Sequence, residues 1–295
     1  MRPHESLEGW LENLLSQNKI IFIFDNGSDT LTLDDTEFSV SSYTGLEASE
    51  YEYSVETNIN ADGATKKRMR VAQRSVSVEF DYLKGTDKSK VRQRLIRFFS
   101  PYKGGTLTVQ NMGVERFIEY EVKSFSYSNT NVYDVLSAHV ELTCLDPSFK
   151  GAETTVPIVT LTGGWKWKFK LPFKLKQYGD LNKDVYNSGD VETPMEIFFQ
   201  GPAVNPTVYR QDSGEYISVK KELTSDDTLY INTGFRQKKV EIITNGVRED
   251  AWDYLDMTST FFWLQPGDNN ISYSHTGIER NTGVQIRYKE RYLGV

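Results

Sequence analysis

Cysteine is all but missing from this 295-residue chain. Cys144 stands alone, so no disulfide can staple the chain to itself, and cohesion must come from packing or partners, as suits a reducing compartment. Histidine is nearly as scarce: His4, His139 and His275 are far apart. A closed zinc site wants four Cys or His ligands, and these four scattered residues are the whole supply. Neither a metal nor a cofactor is expected. There is no glycine-rich dinucleotide fingerprint and no P-loop, and no hydroxyl or thiol has a base at a useful spacing. Cys144 alternates with Val140 and Leu142, the pattern of a core strand. Asp226-Asp227 and Glu249-Asp250 are adjacent pairs, not carboxylates opposed across a cleft as in a glycoside hydrolase. No catalytic residue is assigned, and an enzyme is not expected. No apolar run approaches the ~18 residues of a membrane span. The opening MRPHESLEGWLENLL lacks the basic start and apolar core of a secretory signal, so a soluble chain made in the cytoplasm is expected.

Aromatic residues are plentiful, with 17 Tyr and 16 Phe, and these favour strands over helices. The length exceeds what one ordinary core fills, so two domains are expected. A net charge of −7 argues against nucleic acid as the main partner. Its distribution is uneven: residues 1–62 hold 13 acidic and 2 basic side chains, residues 63–103 hold 3 acidic and 12 basic. Such blocks either cancel within one fold or lie on different faces and attract a second copy head to tail.

In the first half, Leu7, Trp10, Leu11, Leu14 and Leu15 form one stripe of an amphipathic helix over 4–17. Strands are expected at Lys19–Phe24, Leu31–Leu33, Phe38–Val40 and Tyr51–Val55. Asn58–Arg70 has no period and carries Lys66, Lys67, Arg68 and Arg70, which reads as a long hairpin tip or projecting loop. No aromatic residue interleaves these cations to stack bases. Val76, Val78, Phe80 and Tyr82 alternate with polar residues in a half-buried strand. Thr86 or Asp87 can cap a helix over Lys88–Phe99, with Val91, Leu95, Phe98 and Phe99 on its apolar side. Strands at Thr106–Gln110, Arg116–Tyr127 and Val135–Cys144 complete a β domain over 1–150 with one or two helices.

The junction, 151–184, contains WKWKFKLPFKLK. Trp165, Trp167, Phe169 and Leu171 face one way and a lysine row the other, a period of two that marks a strand. Over 185–295, turn signals arrive every eight to twelve residues, with strands expected at Met195–Phe199, Thr207–Tyr209, Tyr216–Val219, Thr228–Ile231, Lys239–Ile243, Phe261–Leu264, Ile271–Tyr273 and Val284–Tyr288. That spacing describes a jelly-roll-like β-sandwich. The fold class is therefore mainly β in two domains. Trp165, Trp252 and Trp263 are candidates for stacking a sugar, which keeps a carbohydrate-binding module as the alternative function; burial accounts for the same residues. Tyr292–Val295 is apolar and is expected to dock, returning to the first domain.

The ordered set FFSP, GGTLTV, CLDPSF, WKWKFKLPFKL, YNSGDVETPMEIFFQGPAVNPTVY, SGEYISV, LYINTG, PGDNNISY and RYKERYLGV resembles the distal tail proteins of long-tailed, non-contractile bacteriophages. The resemblance runs from about Lys19 to Val295. It implies a homo-hexameric ring formed by the first domain, with a galectin-like sandwich mounted outside. The ring would join the tail tube to a tail-associated lysin or fibre protein, at the tail tip of the virion. The tape-measure protein and then DNA would pass through its channel only. Members of the family also project a hairpin that clasps the next subunit. The matching candidate here is Asn58–Arg74, with Lys66, Lys67, Arg68, Arg70 and Arg74 as interface residues. Two features depart from the family: the helix at 4–17 precedes its usual start, and the second domain has no room for an inserted carbohydrate module.

Overall fold

The computed structural model describes residues 19–57, 62–85, 87–128, 135–159, 182–276 and 283–295. The helix expected at 4–17, the lysine-striped strand with Trp165, and Thr86 lie outside the described residues. The chain forms two compact units. One ends at Gly151 and also holds Tyr292–Val295; the other is Ala152–Arg291.

In the first unit, β1 (Ile21–Asp25) turns into β2 (Thr30–Leu33). Asn26 makes that turn specific. Its Oδ1 accepts from Ser28 and Asp29 N–H at 3.0 and 2.9 Å, while its Nδ2 donates to Phe98 O at 3.2 Å. Then come β3 (Phe38–Thr44), β4 (Tyr51–Thr57), β5 (Ala64–Val71), β6 (Arg74–Tyr82) and helix α1 (Lys88–Phe98). The unit continues with β7 (Gly105–Asn111), β8 (Val114–Ser128), β9 (Leu136–Cys144) and the start of β10 (Phe149–Val159). Two antiparallel sheets result, β2-β1-β7-β8 and β3-β6-β9-β8. Strand β8 serves both: Val114–Tyr120 pairs with β7, and Glu121 onward pairs with β9, with a register shift at Val122/Ser124 where it turns the corner. Period-two alternation sends Val76, Val78, Phe80 and Tyr82 of β6 inward. Helix α1 lays Val91, Leu95 and Phe98 on the same core. The adjoining Phe99 ring sits 5.3 Å from both Phe24 and Phe125. Asp87 stands at the helix N-cap but caps nothing with its side chain. Its φ of 52° is left-handed, whereas a capping side chain needs extended backbone.

The second unit adds β11 (Asn182–Asn187), β12 (Met195–Gln200), β13 (Ala203–Val204), β14 (Thr207–Arg210), β15 (Glu215–Ser218) and β16 (Glu222–Leu223). It is completed by β17 (Asp227–Asn232), β18 (Lys239–Thr244), β19 (Val247–Asp250), β20 (Gly267–Ser274) and β21 (Gly283–Tyr292). One sheet runs β19-β18-β17-β12-β21-β10 and another β11-β20-β14-β15. Ile197, Phe199, Leu229 and Ile286 of the first meet Val185, Val208, Ile217 and Ile271 of the second in one core, the arrangement of a β-sandwich. Phe261–Leu264 is not a strand, contrary to its pattern. It belongs to a strap that closes the free edge of β15, with Asp256 N–H on Ser218 O and Thr260 N–H on Tyr216 O at 2.9 and 2.8 Å. Its apparent alternation arises because Phe262 and Leu264 fill the core while Phe261 and Trp263 are half-buried.

Asp227 pins the start of β17, accepting from Thr244 Oγ1 and from the N–H and Oγ1 of Thr224. These hydrogen bonds, the one from Thr244 first, hold its carboxyl below the ordinary aspartate range. A depressed carboxyl stabilises the fold in full above its unfolded value, about 3.9, and loses that effect as pH falls through the folded value. Asp227→Asn is therefore expected to melt below wild type at neutral pH, the gap narrowing below about pH 4. Melting curves across the acid limb check this; a gap that stays constant there counts against it.

Candidate functional site

Strands β4 and β5 pair with each other and, among the described residues, with no other strand. Their register sets Tyr51 opposite Val71, Glu52 opposite Arg70, Tyr53 opposite Met69 and Ser54 opposite Arg68. A shift between Ser54 and Val55 then sets Val55 opposite Lys66. Directly opposed residues share a face, so one side of the ribbon is mainly apolar (Tyr51, Tyr53, Val55, Met69, with Lys66 opposite Val55) and the other is charged. Every residue of β4 is exposed, and every residue of β5 except the half-buried Val71. Tyr53 is 58%, Val55 59% and Met69 50% open to solvent. A lone two-stranded ribbon is marginal in water, and an uncovered apolar face of this kind marks a contact surface.

Among the described residues, three ion pairs join the two charge blocks inside the unit. Arg70 pairs with Glu52 and Lys67 with Glu56, both at 2.5 Å, and Arg94 of α1 lies 3.4 Å from Glu37. Lys66 sits over the Tyr53 ring at 5.2 Å. Arg68 has no ion-pair partner among the described residues. Exposed pairs of this sort contribute only ~0–1 kcal/mol. They orient rather than hold, and the apolar side is what a partner would bury.

Arg74 does not belong with these cations, although the sequence groups it with them. It is 5% exposed. Its Nε donates to Pro147 O at 2.8 Å, Nη1 to Gly45 O and Glu47 O at 2.7 and 2.6 Å, and Nη2 to Ser49 Oγ and Leu293 O at 2.5 Å each. The guanidinium lies over Phe149 at 4.9 Å. Parity could have found it: Arg74 shares a face with Val76, Val78, Phe80 and Tyr82, all of them buried.

In the second unit the tryptophans separate. Trp263 is fixed, its Nε1 donating to Thr233 O at 2.8 Å, with Arg291 over its ring at 5.8 Å. Trp252 is 41% exposed, tilted on Phe261 at 5.5 Å, at the rim of a recess lined by Lys239, Glu241, Arg248, Glu249 and Asp250. Glu241 is paired with Arg248 at 2.8 Å, and Asp250 accepts the Trp252 N–H at 2.9 Å. Among the described residues no three His, Cys, Asp or Glu gather as metal ligands. The Cys144 thiol is buried, which pushes its pKa up to about 12, and a thiol so protonated is a poor nucleophile.

Two mostly β units, one carrying an outlying amphipathic ribbon, give this chain the fold of tail and baseplate proteins of bacteriophages. Residues 188–292 match the family model of the siphovirus-type tail component, C-terminal domain. The crystal structure of phage SPP1 Dit, described as a paradigm of the hub adsorption apparatus in phages infecting Gram-positive bacteria, superposes with a TM-score of 0.67 at 14% identity. That match covers 92% of this chain and 99% of the SPP1 protein. A chain of the phage P2 baseplate, activated with Ca, gives 0.54 at 11% identity over 94% of this chain and 100% of its own. The same baseplate with Sr gives 0.53 at 11% identity over 91% and 98%. No curated protein sequence matches this chain.

Proposed function

We propose that this protein is the structural hub of a phage tail tip, a non-enzymatic ring adaptor between the tail tube and a tail-associated lysin or fibre protein. The observation that carries the reading is the likeness to SPP1 Dit along nearly the whole of both chains. Six copies close the ring, each ribbon laying its apolar side on the next subunit. Obligate interfaces of this kind bury ~2,000–5,000 Å² with an apolar centre. The tape-measure protein and DNA pass through the channel without being specific ligands. The protein resides in the virion, having been assembled in the host cytoplasm. Electron micrographs of the purified protein, with mass from light scattering, are expected to show six-fold rings at high concentration. A strict monomer at high concentration and low salt contradicts the ring.

One observation favours a second reading, binding of a cell-wall saccharide: the half-open Trp252 beside paired donors and acceptors. An indole face and fixed polar groups suit a sugar ring. Wall pull-down that persists in a folded Trp252→Ala variant rules that site out.

A further inference from the structure

We infer that the groove bordered by Leu46, Arg74 and Arg116 is a peptide-binding site for Tyr292–Val295, and that its filling sets the order of the ribbon. The groove holds the segment through its main chain and through Tyr292 and Val295, which pack on the first unit's core. Arg74 donates to Leu293 O and Arg116 to Gly294 O, while the Val295 N–H donates to Leu46 O at 3.0 Å. Arg116 also lies over the Tyr292 ring at 3.5 Å. One position is sterically selected. A Cβ on Gly294 would stand 3.0 Å from Leu46 O and 3.2 Å from the Glu47 carbonyl carbon, so main-chain atoms would have to give by a few tenths of an ångström, and the branched side chain of valine asks for more.

The same groove roots the ribbon. Its two strands leave the unit together where Ala72 N–H donates to Glu50 O at 3.0 Å. Ser49, just before Glu50, is held by the guanidinium that also holds Leu293. Glu47 O and Gly45 O complete the grip on that approach. Gly45 is fixed as glycine: its φ is +88°, and any Cβ there would lie 2.1 Å from Ser75 O. One cation therefore holds both the docked segment and the approach to β4. The ribbon, exposed but for Val71 and paired with no other strand among the described residues, has little local stability of its own. Its order follows from how its root is fixed.

Hydrogen exchange on the full chain tests this, comparing wild type with Gly294→Val and Arg116→Lys at one concentration, with the mass of each sample checked. Amides of β4 and β5 are expected to exchange about tenfold faster in Gly294→Val, those of β6 and β9 at the wild-type rate. Arg116→Lys is expected to give the same pattern more weakly. An excess of the peptide RYLGV is expected to restore slow exchange to the Gly294→Val ribbon, and RYLVV is not. A ribbon unchanged while the Val295 amide loses protection overturns the coupling. So does equal acceleration through β6 and β9, which would make the segment ordinary core. Failure of RYLGV to restore protection, or equal restoration by RYLVV, overturns the peptide site. The outcome is independent of the tail-hub reading, because no other tail protein enters the experiment.

Discussion

Arg74→Ala is expected to lower the melting temperature of the first unit by roughly 10 °C. Arg74 is a buried cation with no buried carboxylate beside it; five oxygen acceptors and the face of Phe149 surround it instead. Burial pulls its pKa down from the ordinary arginine value, yet arginine stays charged at any ordinary pH. Its hydrogen bonds are therefore charge-assisted and stronger than neutral ones. Truncation strands carbonyls from three chain segments at once: the approach to the ribbon, the Pro147 turn and Leu293. Breaking a buried network of this kind costs ~3–5 kcal/mol, and each kcal/mol shifts the melting point of a domain this size by about 2–4 °C. Arg74→Lys should recover only part of the loss, since an ammonium with three donors cannot replace a planar fork with five. Calorimetry reads the result directly. A drop below about 2 °C would mean that water replaces the guanidinium at little cost.

The second large effect concerns assembly. Tyr53→Glu combined with Met69→Lys is expected to weaken self-association at least about a hundredfold. The two positions face each other across the ribbon, so the new pair supports the ribbon itself while removing its apolar side. Burying one large side chain contributes about 1.5–3 kcal/mol. Losing two at the proposed ribbon contact exceeds the ~2.7 kcal/mol that a hundredfold change requires. The wild-type association should weaken only moderately with salt. Of the ribbon's cations, Lys67 and Arg70 are already paired within the subunit, which leaves Lys66 and Arg68 as the exposed charges on which screening mainly acts. Light scattering over a concentration and salt series checks both statements. A doubly substituted chain that assembles like wild type would show that another surface closes the ring.

Much of the β architecture was legible because burial on one face leaves a period-two trace. The run from Val76 to Tyr82 is strand in the structure, and so is each of the longer alternating runs of the first half. Strand β5 was not legible, because ATKKRMRV buries nothing. Its extended form comes from pairing with β4, and a run of cations without an apolar partner row reads as loop. Strand β10 was hidden by Gly151 and Pro157, which punctuate a sequence pattern without preventing an edge pairing. The same blindness separated the ribbon from its anchor. Composition placed Arg74 with the surface cations, and only its parity with the inward residues of β6 distinguishes it. The tail-protein likeness was carried by an ordered series of short motifs, whereas the individual contacts of Arg74 with Gly45, Pro147 and Leu293 join positions no local pattern connects.

The return of Tyr292–Val295 to the first unit has a consequence for biosynthesis. Ribosomes release the chain from its N-terminus onward, and domains ordinarily fold in that order. Here the first unit takes its last contacts, Leu293 O and Gly294 O on Arg74 and Arg116, from residues translated after the whole of the later-made unit. A polypeptide that stops short of Tyr292, however well its parts fold, leaves Arg74 without Leu293 O, Arg116 without Gly294 O and Leu46 O without the Val295 N–H.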